Sequence, residues 1–275
     1  MVYPRSHRLA QAALILNPAS GRNQREAPKV LALANQAGLT WALVKTFAEI
    51  ERETLRLLET GKRHLLVSGG DGTVSGVLTV CLRAGEKPLV SVLPGGTTNL
   101  IAWDVSRPSG QLKILENFLT GAPGVFLTRR LVRIKPKEVY GLFGGAGLIA
   151  QGVARYNERR VKEGLLGLRN ALPVALRLLK EGAPGAKLKA RSFFEAAAVL
   201  VTTLEKVFLP VAPFLPKPCP SLKVGLFPRR LFPFKVLCLP RLELLSPLFA
   251  LDGEILRAED GFVIETTEEI TFARW

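Results

Sequence analysis

The run Leu65-Leu66-Val67-Ser68-Gly69-Gly70-Asp71-Gly72-Thr73 constrains this chain more than any other stretch. An apolar segment ends in two glycines, an acid, a third glycine and a hydroxyl. The residues that follow, Val74-Ser75-Gly76-Val77-Leu78-Thr79-Val80-Cys81-Leu82, can wind as a helix. The glycines therefore stand where a strand becomes a helix. The start of a helix offers backbone N–H groups without intrahelical partners and the positive end of the dipole, which together suit an anion. Glycines lack a Cβ, so a phosphate can approach the backbone closely. Asp71 in that loop repels a bare phosphate and fits better with Mg²⁺ or a substrate hydroxyl between them. Taken alone, Ser-Gly-Gly-Asp-Gly is also a hairpin turn, because Asp-Gly favours type I′ geometry. A second loop of matching character downstream favours the phosphate reading.

The first half of the chain alternates strand and helix. Strands are expected at 12–16, 41–45, 64–68 and 89–93, and helices at 25–37, 48–59, 73–84 and 112–119. That alternation predicts a parallel sheet with helices on both faces. Ligands of such sheets bind beyond the carboxyl ends of the strands. Three polar loops, at 17–21, 69–73 and 94–99, each follow a strand and should converge on one edge. After residue 125 the texture changes. Residues 125–135 and 138–143 read as strands, and Gly144 to Gly147 as a tight corner. Gly145-x-Gly147-x-x-Ala150 mimics a dinucleotide fingerprint but has no acid at a strand end about 20 residues on. Residues 155–181 read as a basic helix with Leu165, Leu168, Leu172, Leu176 and Leu179 on one face, suited to the core or to an anionic membrane surface. From 196 onward short apolar runs alternate with prolines and glycines, as in an antiparallel sheet or sandwich. Thr203 to Ser221 reads as irregular connections, and Asp260-Gly261 as a hairpin turn. The expected organisation is an α/β domain over 1–125 and a β-rich, sandwich-like domain over 126–275.

Charge is unevenly spread. Of a net +15, residues 126–191 carry 15 basic and 4 acidic side chains. A concentrated positive region implies an anionic partner such as membrane lipid, nucleic acid or a phosphorylated substrate. Nucleic acid is the least favoured, because the region lacks interleaved aromatics. The three cysteines, Cys81, Cys219 and Cys238, are far apart and suggest neither a disulfide framework nor a zinc site, so a reducing cytoplasm is expected. No signal peptide is read at the amino terminus, and no run reaches the ~18 apolar residues of a membrane span. Any membrane contact is expected to be peripheral.

Four motifs occur in one order: Asn17-Pro18-x-Ser20-Gly21, Gly69-Gly70-Asp71-Gly72-Thr73, Leu93-Pro94-x-Gly96-Thr97-x-Asn99, and Asp252-Gly253-Glu254. Together they resemble the catalytic domain of the diacylglycerol kinase family, which includes bacterial lipid kinases and sphingosine kinases. The resemblance implies an N-terminal α/β nucleotide domain, a C-terminal β-rich domain and a cleft between them. It implies ATP and Mg²⁺ as cofactors. It carries ATP binding onto Asn17, Ser20, Thr46, Gly69, Gly70, Asp71, Gly72, Thr73, Val74, Ser75, Gly96, Thr97 and Asn99. It makes Glu254 the general base toward a lipid hydroxyl. Asp71 then orients metal and phosphate, or serves as the base itself. The implied partner is a membrane lipid, met at the cytoplasmic membrane face; the oligomeric state stays open, a homodimer included. Two departures stand out. Leu100 follows Asn99 where many relatives have an acid, and residues 213–224 lack the relatives' glycine-rich, metal-binding segment. The rival readings are a soluble kinase of the NAD kinase type and a non-catalytic nucleotide- or lipid-binding relative.

Overall fold

The computed structural model describes residues 5–106, 109–163, 185–190, 192–205, 219–228 and 235–275. They form two compact units. The first holds the described residues up to Arg129 together with Glu269–Trp275, and the second holds Arg130–Glu268. The boundary expected after residue 125 thus lies at Arg129. The last seven residues, expected in the second domain, return to the first.

The first unit begins with α1 (Arg5–Ala10), β1 (Ala12–Leu16), α2 (Asn23–Gln36), β2 (Thr40–Leu43) and α3 (Phe47–Glu59). It continues with β3 (His64–Gly69), α4 (Asp71–Arg83), β4 (Leu89–Pro94), α5 (Leu100–Val105) and α6 (Gln111–Thr120). The strands pair in parallel in the order β2-β1-β3-β4. Every residue of β1 and β3 is buried, as expected for strands covered on both faces. Leu14, Leu16 and Leu66 pack with Val30 of α2 and Leu115 and Phe118 of α6. Helices α3 and α4 pack on each other. The predicted parallel α/β domain is therefore present. Gly38 and Gly61, read as helix stops, both take positive φ. The sequence reading left out α5, a short helix that continues from the third polar loop.

The carboxyl-terminal residues close this unit. Strand β16 (Phe262–Arg274) ends parallel to β4, with Phe272 opposite Val90. Trp275 then enters a buried box. Its Nε1 donates to Ser91 Oγ (2.8 Å), its ring stacks on His64, and the Arg8 guanidinium lies 5.1 Å from its centroid. Ser91 Oγ donates to the Ala273 carbonyl (3.0 Å), so toward His64 Nε2, 2.8 Å away, it can only accept. His64 Nε2 therefore carries a proton, and the low pKa that burial gives the ring keeps it neutral. Burial, with a smaller push from Arg8, drops its pKa to about 3.

The second unit is a β-sandwich with one helix among its described residues. The chain runs through β5 (Val125–Lys135), β6 (Val139–Gly141), β7 (Phe143–Gly147), α7 (Leu148–Glu163), β8 (Ala186–Lys189) and β9 (Phe193–Ala196). It goes on through β10 (Ala198–Thr202), β11 (Leu222–Phe227), β12 (Lys235–Leu239), β13 (Arg241–Leu244), β14 (Leu248–Leu251) and β15 (Glu254–Arg257). One sheet has the order β12-β11-β10-β7-β14-β15; the other contains β16-β13-β8-β9, with β5 paired to β16 and β6 to β5. Val132, Leu188, Leu242 and Ile264 from one sheet share a core with Val199, Val224, Phe249 and Leu251 from the other.

Four expectations are corrected here. Gly144–Gly147 is no corner but part of β7, an inner strand; a Cβ at Gly144 would lie 2.4 Å from the Ala250 carbonyl, so only glycine lets the strands approach. Asp260-Gly261 does not join a hairpin, because β15 and β16 lie in different sheets. The two-residue hairpin turn is Asp252-Gly253, with positive φ at both residues, as a type I′ turn needs. Cys219 and Cys238 form a disulfide. Antiparallel pairing of β11 with β12 sets Lys223 opposite Cys238 and brings Cys219, just before β11, within a Cα–Cα distance of 5.9 Å. The inference of a reducing compartment from unpaired cysteines falls with it. The basic helix begins at Leu148 rather than 155, and its proposed leucine face lies outside the described residues, as do residues 213–218 of the altered segment. Among the described residues no helix is long and apolar enough to cross a membrane.

Candidate functional site

The three strand-end loops of the first unit meet. Asn17 follows β1, and its Nδ2 donates to Thr73 Oγ1 (3.1 Å) while its Oδ1 accepts from Ala19 N (3.0 Å). Ser20 Oγ accepts from the Gly70 amide (3.2 Å). Gly95 N donates to the Gly69 carbonyl (3.1 Å), and Asn23 N to the Gly95 carbonyl (3.1 Å). The backbones at Gly70 and Gly96 touch: a Cβ on Gly96 would lie 2.4 Å from Gly70 Cα. Close approach of two backbones is what those glycines serve. Asn99 sits at φ 54°, a left-handed conformation that asparagine tolerates, and its amide exchanges two 2.8 Å hydrogen bonds with the Gly96 backbone.

Beneath the loops lies a buried polar network that sequence reasoning missed. Asn23 Nδ2 donates to the carbonyls of Asn17 (2.8 Å) and Ser68 (3.1 Å), and its Oδ1 accepts from Gln111 Nε2 (2.9 Å). Ser68 Oγ donates to Gln111 Oε1 (2.8 Å), and Gln111 Nε2 also reaches Glu26 (2.7 Å). The one signal was Ser68 itself, a hydroxyl ending a strand whose every residue is buried. A fully paired network of this kind fixes three loops to one another.

Helix α4 opens at Gly70 without a side-chain cap. Its first residue, Asp71, is turned to another task. Asp71 Oδ1 accepts from Ile101 N (2.9 Å) and Oδ2 from Leu100 N (3.1 Å), so its carboxylate caps α5. Burial pushes its carboxyl up to about 6, against the pull of the Ile101 and Leu100 amides. The carboxylate that sequence analysis assigned to metal or to catalysis is thus engaged by backbone donors, with lone pairs to spare.

The remaining assigned residues divide. Gly69, Gly70, Gly72, Thr73, Gly96, Thr97 and Asn99 lie in or beside the meeting loops, and Thr97 is half-buried. Val74 and Ser75 follow in α4 and are buried, at 1% and 7% exposure, as Thr73 and Asn99 are at 6% and 7%. Thr46 caps α3, its Oγ1 accepting from Glu49 N (3.3 Å) while Glu49 Oε2 accepts from the Lys45 and Thr46 amides (2.6 and 3.3 Å). These amides hold the Glu49 carboxyl below its ordinary range.

In the second unit Glu254 is exposed and begins β15, directly after the Asp252-Gly253 turn. Asp252 is 2% exposed, and its two carboxylate oxygens accept from Leu142 N and Phe143 N, both at 3.0 Å. Asn157 of α7 donates to the Gly253 carbonyl (3.0 Å). The turn that presents Glu254 is therefore locked from two sides. No group of three His, Cys, Asp or Glu that could hold a metal occurs among the described residues.

Comparison with known proteins bears out the resemblance. Residues 11–125 match the family model of the diacylglycerol kinase catalytic domain. A diacylglycerol kinase of Staphylococcus carnosus is 30% identical over 115 residues, 40% of this chain and 38% of that protein. One from Staphylococcus saprophyticus is 27% identical over the same shares. The matched region thus spans well under half the length of these relatives. A solved structure of a diacylglycerol kinase from Bacillus anthracis superposes with a TM-score of 0.69 at 16% identity, covering 96% of both chains. That likeness extends the shared fold beyond the matched region.

Proposed function

We propose that this chain is a lipid kinase that transfers the γ-phosphoryl group of ATP to a hydroxyl of diacylglycerol or a related membrane lipid. The observation that carries the reading is the convergence of loops 17–22, 69–73 and 94–99 beside the uncapped amino end of α4. A rigid, glycine-lined junction at a helix amino end suits a polyphosphate, whose transfer depends on positioning and charge neutralisation. Asn17, Ser20, Thr97 and Asn99 border it. Mg²⁺, when bound, supplies neutralisation of phosphate charge; Asp71, with lone pairs left on both oxygens, is the side chain of these loops that would hold it, alongside the phosphates. Glu254 takes the proton of the acceptor hydroxyl. Asp71 acts by holding α5 rather than as the base, because its carboxylate already serves the Leu100 and Ile101 amides. The excess positive charge of residues 126–191 supports peripheral contact with an anionic membrane face.

Incubation with labelled ATP and a panel of lipids, with NAD in a separate arm, tests this reading. Label is expected on a glycerolipid or related lipid, and it should be lost in Asp71→Ala and Glu254→Gln. Label on NAD without lipid would move the reading to a soluble small-molecule kinase. No transfer to any acceptor, with Asp71→Ala indistinguishable from the unmodified chain, would sink it.

A further inference from the structure

Helix α5 has six residues, too few to hold a helix in water by themselves. It nevertheless continues directly from the Gly96–Asn99 loop, so its placement sets that loop. The first unit pins it at both ends. At the amino end stands the Asp71 carboxylate. At the carboxyl end Arg274 donates from Nη2 to the Asp104 carbonyl (2.9 Å) and from Nε to the Val105 carbonyl (3.4 Å). Ser106 Oγ, one residue on, donates to the Val92 carbonyl of β4 (2.6 Å). An anion at the start and a guanidinium at the end both complement the helix dipole.

The side chain of Asp104 adds a third fixing point. It has no exposure, and its Oδ2 lies 2.8 Å from Nε of Arg129, whose side chain is 11% exposed. Arg129 also donates from Nη1 to the Thr128 carbonyl (2.8 Å). Buried pairs of this kind add little net stability against an apolar replacement, but removing one partner strands the other charge. They are therefore best read as fixing geometry. Arg129 lies on β5 and Arg274 on β16, the two strands by which the chain leaves and re-enters the first unit. One short helix thus joins the candidate phosphate loops to both of those strands.

We propose that Asp104, held by Arg129 and seconded by Arg274, is a positioning residue for nucleotide binding: it clamps α5 so that the Gly96–Asn99 loop keeps the conformation that meets Gly70. The proposal rests on the nucleotide reading given above. Without the clamp α5 frays, Asn99 leaves its left-handed conformation, and the contact of Gly96 with Gly70 loosens.

The test is Asp104→Asn, which keeps shape and removes charge, with Arg274→Gln as a second variant reaching the same helix through its carbonyls. The dissociation constant of a non-hydrolysable ATP analogue with Mg²⁺ is measured by calorimetry. Amide exchange over residues 99–106 is followed in the same samples. Weakening of the analogue by about tenfold in both variants is expected, equivalent to about 1.4 kcal/mol. Exchange over 99–106 should accelerate while β1 and β3 stay protected. Arg129→Lys, which keeps a cation beside Asp104, should weaken the analogue less than Asp104→Asn does. Affinity within about twofold of the unmodified chain in Asp104→Asn and Arg274→Gln overturns this role. So does accelerated exchange without weaker binding. Failure of the unmodified chain to bind the analogue overturns the nucleotide reading itself, and this role with it.

Discussion

Asp71 and His64 are both buried in the first unit, and their titrations act in opposite directions. The folded pKa of Asp71, about 6, lies above its ordinary value of 3.8. The folded state therefore binds this proton more tightly, and the stability it contributes, full below 3.8, is lost as pH rises through 6. The folded pKa of His64, about 3, lies below 6.5, so the unfolded state binds that proton more tightly and stability is lost as pH falls from 6.5 toward 3. Each contributes a slope of up to about 1.4 kcal/mol per pH unit between pH 4 and 6, with opposite sign. Urea unfolding should show His64→Gln gaining on the unmodified chain as pH drops through that window. Asp71→Asn should gain as pH rises. Parallel curves for either variant would mean that the group titrates alike in both states. At Gly96 the constraint is steric. Gly96→Ala must push the Gly70 backbone aside, and a cost of about 1–3 kcal/mol is expected in the same assay. Binding of the ATP analogue should weaken more than that loss of folding accounts for.

Among elements, α3 and the β14–β15 hairpin show how assigned residues serve structure. Thr46→Ala removes the cap of α3 and should cost about 1 kcal/mol, whereas Thr46→Ser, which keeps the acceptor oxygen, should cost a small fraction of that. Loss of analogue binding in Thr46→Ser, with stability kept, would show a ligand contact beyond capping. In the hairpin, Asp252→Ala leaves the Leu142 and Phe143 amides without acceptors in a buried setting and should cost about 2–4 kcal/mol. Gly253 has φ +91°, so Gly253→Ala is strained despite open space around its Cα. Thermal unfolding of both variants checks the pair. A turn built this way holds Glu254 at a fixed place on β15, as the role proposed for it requires.

For the whole molecule, two compact units allow two unfolding transitions, and the disulfide belongs to one of them. The Cys219–Cys238 bond closes a loop with a sequence separation of 19 in the second unit. Its loss should lower that unit's stability by about 3 kcal/mol. Calorimetric scans with and without a dithiol reductant, and of the Cys219→Ser, Cys238→Ser double variant, should shift one transition and leave the other in place. A shift of both would show that the units unfold together. Cys81 is buried, its thiol pushed up to about 12, and should stay unreactive until the first unit unfolds.

What the sequence determined by itself were the features written in local patterns. Unbroken apolar runs marked β1 and β3, glycines marked helix ends, and polar loops after successive strands announced their own convergence, because parallel strands present their carboxyl ends on one edge. Tertiary structure decided everything that depends on which distant residues become neighbours. The return of Phe272 to β4, the pairing of Cys219 with Cys238, the network of Asn23, Ser68 and Gln111, and the diversion of Asp71 to cap α5 all join residues far apart along the chain. A carboxylate in a glycine loop looks the same in sequence whether it faces a ligand or a neighbouring helix. Only the folded chain sets which amides reach it first.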